Sequence, residues 1–263
     1  MKASKLIPGV SIIIMVLTTS SCILNMICIN GNGVPSGEER ATGSFKGVNN
    51  ATQANVVFET GDVLSLLIES DANLLPYFTT SVRNGILEID IKGTSCIKTV
   101  SPTLIRITAT SMESFTLSGS GDMIADLISG VDIKLTNTGS GNMIVDMIES
   151  TNCSVKLTGS GDITVLSSQM QEVSLTSSGS GDTNISGHAD NGFFTSTGSG
   201  ACFCSDLYLS DCNAIISGSG NIYASVSENL IATITGSGNL YYFGDPAVTQ
   251  NRTGSGHIIQ LSR

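Results

Sequence analysis

The sequence predicts an all-β fold, a parallel β-helix or β-solenoid with coils of about 20 residues, preceded by an irregular all-β N-terminal part. Three observations predict it. The motif Gly-Ser-Gly occurs eight times at a nearly constant spacing. Apolar and polar residues alternate between the motifs, as in strands with one buried face. Glycine at this density is unfavourable for helices.

The positions of the motifs define the repeats. Their first glycines are Gly119, Gly139, Gly159, Gly179, Gly198, Gly218, Gly236 and Gly254. Compared with the first three steps, the step after Gly179 is shorter by one, and the steps after Gly218 are shorter by two. The repeats are therefore regular at first and become shorter towards the C-terminus.

The first 22 residues are typical of a secretory signal peptide of the lipoprotein type. Lys2 and Lys5 precede an apolar run at 7–17, and small residues lead to Cys22. This order resembles a relaxed bacterial lipobox, so we predict lipid attachment at Cys22. The alternative is an uncleaved membrane anchor, because residues 7–29 are apolar enough to span a bilayer. Both alternatives place the rest of the chain outside the cytoplasm.

Residues 23–44 are predicted to be an exposed lead-in segment, and residues 45–118 the N-terminal β part of the domain. No Gly-Ser-Gly motif occurs before residue 119. The alternation of Leu64, Leu66 and Ile68 predicts a strand in this part. We expect it to cap the solenoid or to continue it irregularly, because an open end of a solenoid invites aggregation.

Two turns are expected within the N-terminal β part. Asn84-Gly85 is a strong signal for a hairpin, and the three apolar residues at 87, 89 and 91 then share one face. Residues 71–78 are expected to form a single helical turn that Pro76 closes.

The segment 119–263 is predicted to be the repeat solenoid. Counted from the first glycine of each motif, positions four, six, fourteen and sixteen are mostly apolar. This pattern predicts two short strands per repeat, each pairing in parallel with its copy in the next coil. In the shortened repeat that starts at Gly179, the same count assigns Phe193 to the buried face and Phe194 to the exposed face.

The motif itself is interpreted as the corner of each coil. Glycine adopts positive φ without steric cost, and the Asp or Asn that usually follows tolerates the left-handed region. Ser, Thr, Asp and Asn can also bond to nearby backbone groups and hold a turn. Stacked coils would align the central serines as a ladder of hydroxyls along one edge. These are Ser120, Ser140, Ser160, Ser180, Ser199, Ser219, Ser237 and Ser255.

Four segments in order resemble a known family. They are "INGNG" at 29–33, "EERATGSFKGV" at 38–48, "SDANLLPYFTTSVRNGILEIDIKG" at 70–93 and the serial "GSGD" units. Together they are similar to the putative auto-transporter adhesin, head GIN domain family, over about residues 29–263. The resemblance implies an exported protein, often a lipoprotein, of the kind common in Bacteroidota, with a parallel β-helix-like fold. It implies no catalytic or binding residues.

Charge argues against one class of partner, and composition offers few aromatic residues for another. The formal net charge is −10, and from residue 119 onwards four basic residues stand against thirteen acidic ones. Nucleic-acid binding is therefore not expected, because phosphate contacts need clustered cations. Sugar-binding surfaces often use aromatic side chains, and this chain has no tryptophan and 5% aromatic residues.

An enzymatic function is not favoured by the residues present. The two histidines, His188 and His257, fall in different repeats and form no nucleophile–base pattern in sequence. A β-helix polysaccharide lyase or hydrolase would need clustered Asp with Lys or Arg. Lys134 and Lys156 stand at unlike positions of their repeats, and the other cations after residue 118 are Arg252 and Arg263.

Calcium binding by a β-roll-like edge is the main alternative function. The column that begins Asp122, Asn142, Asp162 and Asp182 places oxygen ligands along one edge. The repeat length differs from that of nonapeptide calcium rolls, and Ala201 interrupts the column. A flat lattice of hydroxyls for surface binding is a third class that the sequence permits. We predict no metal site and no cofactor.

Seven cysteines need an assignment in an exported chain. Cys153 and Cys212 share an inward column but lie three coils apart, about 14 Å, which is too far for a disulfide. One pair among Cys202, Cys204 and Cys212 is possible, since all three belong to one coil. We favour all four as small core hydrophobes, and a zinc site lacks a fourth ligand.

The sequence thus predicts an exported, lipid-anchored, non-catalytic surface-binding or adhesion module. Its expected partners are an unknown surface ligand, protein or glycan, and the membrane through the lipid on Cys22. Its expected location is the cell envelope, as an outer-membrane or cell-surface lipoprotein.

Overall fold

The structure, a computed structural model, describes residues 28–93 and 96–262. The predicted signal peptide at 1–22, the predicted lipid site Cys22 and the start of the lead-in lie outside these residues. Helical structure in the described part is confined to one 3-10 turn, Leu75–Tyr77. None of the described residues belongs to a helix long and apolar enough to cross a membrane.

Ten strands precede the first Gly-Ser-Gly motif, so the predicted all-β character of this part is confirmed. They are β1 (Ile29–Asn30), β2 (Pro35–Glu39), β3 (Gly47–Asn50), β4 (Asn55–Thr60), β5 (Ser65–Asp71), β6 (Phe78–Arg83), β7 (Ile86–Ile91), β8 (Ile97–Lys98), β9 (Leu104–Ala109) and β10 (Ser114–Leu117).

Ten further strands form the repeat solenoid, which has about seven turns and confirms the predicted fold class. They are β11 (Met123–Asn137), β12 (Met143–Leu157), β13 (Ile163–Ser177), β14 (Thr183–Ile185), β15 (Gly187–Ser196), β16 (Cys202–Ile216), β17 (Ile222–Ile234), β18 (Leu240–Phe243), β19 (Ala247–Arg252) and β20 (Ile258–Gln260).

Each coil pairs in parallel with the same segment of the next coil. Met123 lies opposite Met143, and Met143 lies opposite Ile163, one repeat further along the chain. The prediction of two short strands per repeat is wrong for the regular coils, where β11, β12, β13 and β16 are each one strand of 15 residues. The strand stays continuous because the ladder to the next coil persists through the bend, as at Ser129 opposite Glu149.

The solenoid interior contains the predicted inward columns and two more. Met123 and Leu135 are 1% and 0% exposed, as the alternation predicts. The additional columns start at Ile128 and Asn137, which are both fully buried. Asn137 is tolerated inside because its amide donates to the carbonyl oxygen of Gly141 (2.8 Å).

The predicted orientation of the two phenylalanines in the shortened repeat is wrong. Phe194 is fully buried, and Phe193 is 44% exposed. Val165 pairs with Ile185, a full repeat further on, whereas Gln169 pairs with His188, one position short of a full repeat. The missing residue is therefore lost at the bend before β15, and a slip of one residue reverses every later side chain in the strand.

The first coil is formed by β3 and β4 and lies between two coils that come later in the chain. On one side β3 pairs with β7 and β4 pairs with β9; on the other they pair with β10 and β11. Antiparallel pairs β2–β5, β5–β9 and β6–β7 complete this end. The N-terminal part therefore both continues the solenoid and extends it irregularly.

The two turns of the N-terminal part have different outcomes. The hairpin is confirmed: β6 and β7 are antiparallel, and Asn84 and Gly85 have φ of 53° and 75°. Pro76 does not close the helical turn but occupies its start, where the missing N–H has no partner to lose. In β5, Leu66 and Ile68 are buried as predicted, but the prediction is wrong for Leu64, which precedes the strand and is 39% exposed.

Glycine recurs at the corners because the coils approach each other closely there, so the predicted reason, positive φ, is wrong. Positive φ among the described glycines occurs at Gly33, Gly85, Gly93, Gly187 and Gly244, and none of these belongs to a motif. A Cβ on Gly159 would instead lie 1.9 Å from the carbonyl oxygen of Gly139 in the preceding coil. Equivalent approaches of 1.9–2.2 Å occur at every Gly-Ser-Gly corner.

A disulfide joins Cys28 to Cys96 beside the two-residue pairing of β1 with β8. This pair was not predicted from the sequence. Asp71 is fully buried nearby and accepts hydrogen bonds from the backbone N–H of Val100 (2.7 Å) and the hydroxyl of Ser101 (2.8 Å). Burial raises the pKa of Asp71, but these hydrogen bonds outweigh burial and lower the pKa below its ordinary value.

Candidate functional site

The corner edge of the solenoid carries the predicted ladder of serines. All eight central serines are exposed, and their backbones continue the ladder: the N–H of Ser140 donates to the oxygen of Gly119 (3.1 Å). Near the C-terminal end the hydroxyl of Ser255 also donates to that of Ser237 (3.2 Å). The edge is thus a regular array of hydroxyls fixed by backbone pairing.

The Asp and Asn column beside the serines holds adjacent coils together. A side-chain oxygen of each residue accepts the backbone N–H of its counterpart in the next coil, as from Asn142 to Asp122 (2.7 Å) and from Asp182 to Asp162 (2.7 Å). The same bond joins His257 to Asn239 (2.8 Å). Within the described residues, no group of three or more His, Cys, Asp or Glu side chains could hold a metal ion.

This ladder predicts how substitutions at Asp162 behave. Asp162→Asn should leave the melting temperature unchanged, since the amide oxygen still accepts the N–H of Asp182. Asp162→Ala should cost about 1 kcal/mol, because that N–H loses its partner. Thermal melts of both variants, with and without millimolar calcium, provide the measurement. A rise of many degrees with calcium in the wild type would identify the column as a metal site instead.

Cys153, Cys202, Cys204 and Cys212 are free and buried, as favoured from the sequence. Burial raises the pKa of Cys153, Cys202 and Cys212 to about 12. Burial also raises the pKa of Cys204 well above its ordinary value. These thiols are therefore protonated and inert at neutral pH, and they pack as small apolar side chains.

The shortened coil that follows Gly218 creates a concave surface on the solenoid. Cys204 pairs with Ala224, but the next pair is Tyr208 with Ser225, so residues 205–207 have no counterpart in the shorter coil. A cleft of about 330 Å³ lies there, lined by Tyr208, Leu209, Val226 and Phe243 and by polar groups that include His188 and Asp245.

A second cavity, which we call the Phe193 slot, is lined by residues of β15, β16 and β17 that follow those of the cleft in each strand. It has a volume of about 380 Å³. Phe193, Asn213 and Ile231 occupy one outward column on successive coils, with the small amide between two large apolar side chains. Asn191, Asp211 and Asn229 form the neighbouring outward column that also lines the slot.

The residues that were considered for catalysis, and not favoured, are not brought together in the structure. His188 lies in the cleft with Nε2 3.5 Å from Oδ1 of Asp190, and His257 belongs to a corner. The hydroxyls of Ser225 and Ser227, which also line the cleft, donate to backbone carbonyl oxygens (2.6 and 3.2 Å). Lys134 pairs with Ser154, whereas Lys156 pairs with Thr136, so the two lysines occupy different columns of the stacked coils.

Neither cavity was predicted from the sequence. The signal that could have located them is the series of spacings, because the shortened steps after Gly179 and Gly218 mark where residues are lost from the bend. A loss of residues on a regular stack leaves a depression, and the side chains around it then line a cavity. The irregularities of the repeat are therefore as informative as its period.

Solved structures with this fold are known. At 21% identity, a putative adhesin from Parabacteroides merdae matches 89% of this chain and 98% of its own, with a TM-score of 0.82. A putative adhesin from Parabacteroides distasonis matches 89% of this chain and 100% of its own at 19% identity and TM-score 0.83. A putative lipid binding protein from Parabacteroides distasonis has the same coverage, 24% identity and TM-score 0.78.

Sequence comparison agrees with the resemblance found in the motifs. No protein of curated function matches this chain. The profile of one family matches residues 44–184 and 148–246, so it includes the first coil, the repeats and both cavities. The chain therefore belongs to the putative auto-transporter adhesin, head GIN domain family.

Proposed function

We propose that this protein is an exported, lipid-anchored surface-binding module of the cell envelope, without catalytic activity and tethered through Cys22. The observation that carries the proposal is the pair of cavities on a continuously hydrogen-bonded solenoid. Such a scaffold holds outward side chains in fixed positions, which favours recognition of an external ligand. The description of the family as an adhesin supports a binding role.

The arrangement of the cleft supports binding more than catalysis. The hydroxyls of Ser225 and Ser227 donate hydrogen bonds to backbone carbonyl oxygens. They are therefore not arranged as nucleophiles, because a nucleophilic hydroxyl must direct its proton at a base. The apolar walls formed by Tyr208, Val226 and Phe243 suit a ligand with an apolar portion. The description of one structural relative as a putative lipid binding protein is compatible with such a ligand.

Cys22→Ala tests the anchor in the full-length chain expressed in cells. The wild type should incorporate a labelled fatty acid and have the mass of a chain cleaved before Cys22. The variant should lose the label and stay uncleaved, because the signal peptide of a lipoprotein is cleaved only after its cysteine is lipidated. Ser36→Ala, in the exposed strand β2, is the control and should behave as the wild type. A wild type that stays at the uncleaved mass and takes up no label would establish an uncleaved anchor and refute lipidation.

Exposure on intact cells is tested separately by protease treatment and antibody labelling. A surface module should be labelled without permeabilising the cells. Protection from both reagents until the envelope is opened would contradict a surface location.

A further inference from the structure

The Phe193 slot combines an exposed aromatic ring with several amide side chains. Phe193 is 44% exposed although it lies in the middle of β15. Its ring stands beside the outward column Asn191, Asp211 and Asn229 and next to Asn213. The slot therefore combines a largely apolar wall with a few polar groups, which is the composition typical of small-ligand sites.

The amides in the slot have hydrogen-bonding capacity to spare. Asn229 donates to Oδ1 of Asp211 (2.6 Å). Among the described residues, the side chains of Asn191 and Asn213 have no such partner. Each amide offers two donor hydrogens and an acceptor oxygen. Adjacent hydroxyls of a sugar ring require this combination of donors and acceptors, and the apolar face of the same ring can pack on an aromatic side chain.

Charge and size restrict the ligand further. Neither Lys nor Arg lines the slot, and Asp211 contributes a carboxylate, so an anionic ligand is disfavoured. The volume of about 380 Å³ falls within the range of about 300–1,000 Å³ that small-ligand sites occupy. A neutral polyhydroxylated ring fits all three features, because it can pack on Phe193, form hydrogen bonds with the amides and approach Asp211 without repulsion between like charges.

Another exposed aromatic group on the solenoid lacks these features and serves as a comparison. Phe203, near the start of β16, is 39% exposed. Its ring stacks on the ring of Tyr223 with centroids 5.1 Å apart, and Tyr223 stacks in turn on Tyr241 with centroids 4.8 Å apart. One face of the Phe203 ring is therefore covered by a protein side chain. Phe203 is thus a matched control for Phe193, with similar exposure but different surroundings.

We propose that the Phe193 slot is a subsite for a neutral saccharide, with a sugar ring packed on Phe193 and its hydroxyls bound by Asn191 and Asn213. The proposal rests on the proposed surface-binding function and specifies its ligand class. A single small site of this kind should bind weakly and gain strength when ligand and protein are displayed in many copies.

Saturation-transfer NMR on the purified soluble chain tests this subsite. The probes are methyl β-D-glucopyranoside, methyl β-D-galactopyranoside, methyl α-D-mannopyranoside and, as the anionic counterpart, methyl β-D-glucuronide. We expect saturable binding of at least one neutral glycoside, with weaker binding of the glucuronide. Phe193→Ala and Asn213→Ala should each raise the Kd at least tenfold, and Phe203→Ala should leave it unchanged. Circular dichroism melts establish that each variant is folded.

The outcomes separate this inference from the function on which it rests. No saturable binding of any glycoside, or unchanged binding in both slot variants, would overturn the saccharide subsite. Equal losses in Phe193→Ala and Phe203→Ala would also overturn it, since they would indicate a different or nonspecific surface. In each case the fatty-acid labelling of the wild type and Cys22→Ala, together with the surface labelling, would still decide whether the protein is a tethered surface module.

Discussion

Gly159→Ala is expected to destabilise the protein by about 3 kcal/mol or more, a large effect for one added methyl group. The new Cβ would lie 1.9 Å from the carbonyl oxygen of Gly139. That oxygen cannot move freely, because it accepts the backbone N–H of Ser160 (3.0 Å) within the corner ladder. Relief of the clash must therefore separate two coils and weaken the pairing on both sides of the corner.

Thermal and chemical unfolding of Gly159→Ala provide the measurement, with Gly43→Ala as the matched control. Gly43 lies in the lead-in, has no atom within 4 Å of an added Cβ, and does not have positive φ. Its substitution should change stability by less than about 0.5 kcal/mol. A Gly159→Ala variant as stable as Gly43→Ala would show that close approach of the coils is not the reason for glycine at the corners.

The repeat fold could be predicted from the sequence because its evidence is local and repeated. Period-two alternation and a nearly constant spacing predict parallel strands in register, and positions such as Met123 and Leu135 are buried as expected. The prediction that the corner glycines adopt positive φ was wrong for a physical reason. The sequence shows where glycine occurs, but the close approach of Gly159 to Gly139 exists only in the folded chain, where the coils are stacked.

The spacings locate the irregular repeats, but the side chains that line the cavities could not be predicted, because they depend on where a residue is lost within a repeat. The shortened step from Gly179 to Gly198 shows that one residue is missing, but not whether it is missing before or after position 193. The loss before β15 places Phe193 outside and Phe194 inside. That single choice creates the aromatic wall of the Phe193 slot, so the strongest feature of the proposed ligand site depends on a detail of register.

Removal of the disulfide by Cys28→Ser with Cys96→Ser is expected to cost about 4 kcal/mol in the chain-entropy description of cross-links. The cross-link spans a sequence separation of 68 residues, and a loop of that length loses much conformational freedom in the unfolded chain. Beside it, β1 and β8 pair through two residues each, Ile29 with Ile97 and Asn30 with Lys98. So short a pairing adds little stability of its own, so we expect the disulfide to contribute most of the stability of this contact.

Unfolding of the wild type and the double variant, each with and without reductant, provides the measurement. Reductant should lower the stability of the wild type to that of the double variant and leave the double variant unchanged, because the four other described cysteines are free and buried. Hydrogen exchange should increase around β1 and β8 and remain slow in β12 and β13. A double variant as stable as the oxidised wild type would contradict a stabilising role.

If the chain is tethered through Cys22 as proposed, tension on the anchor enters the domain shortly afterwards at Cys28. The disulfide would then pass that tension to Cys96 without loading the short β1–β8 pairing.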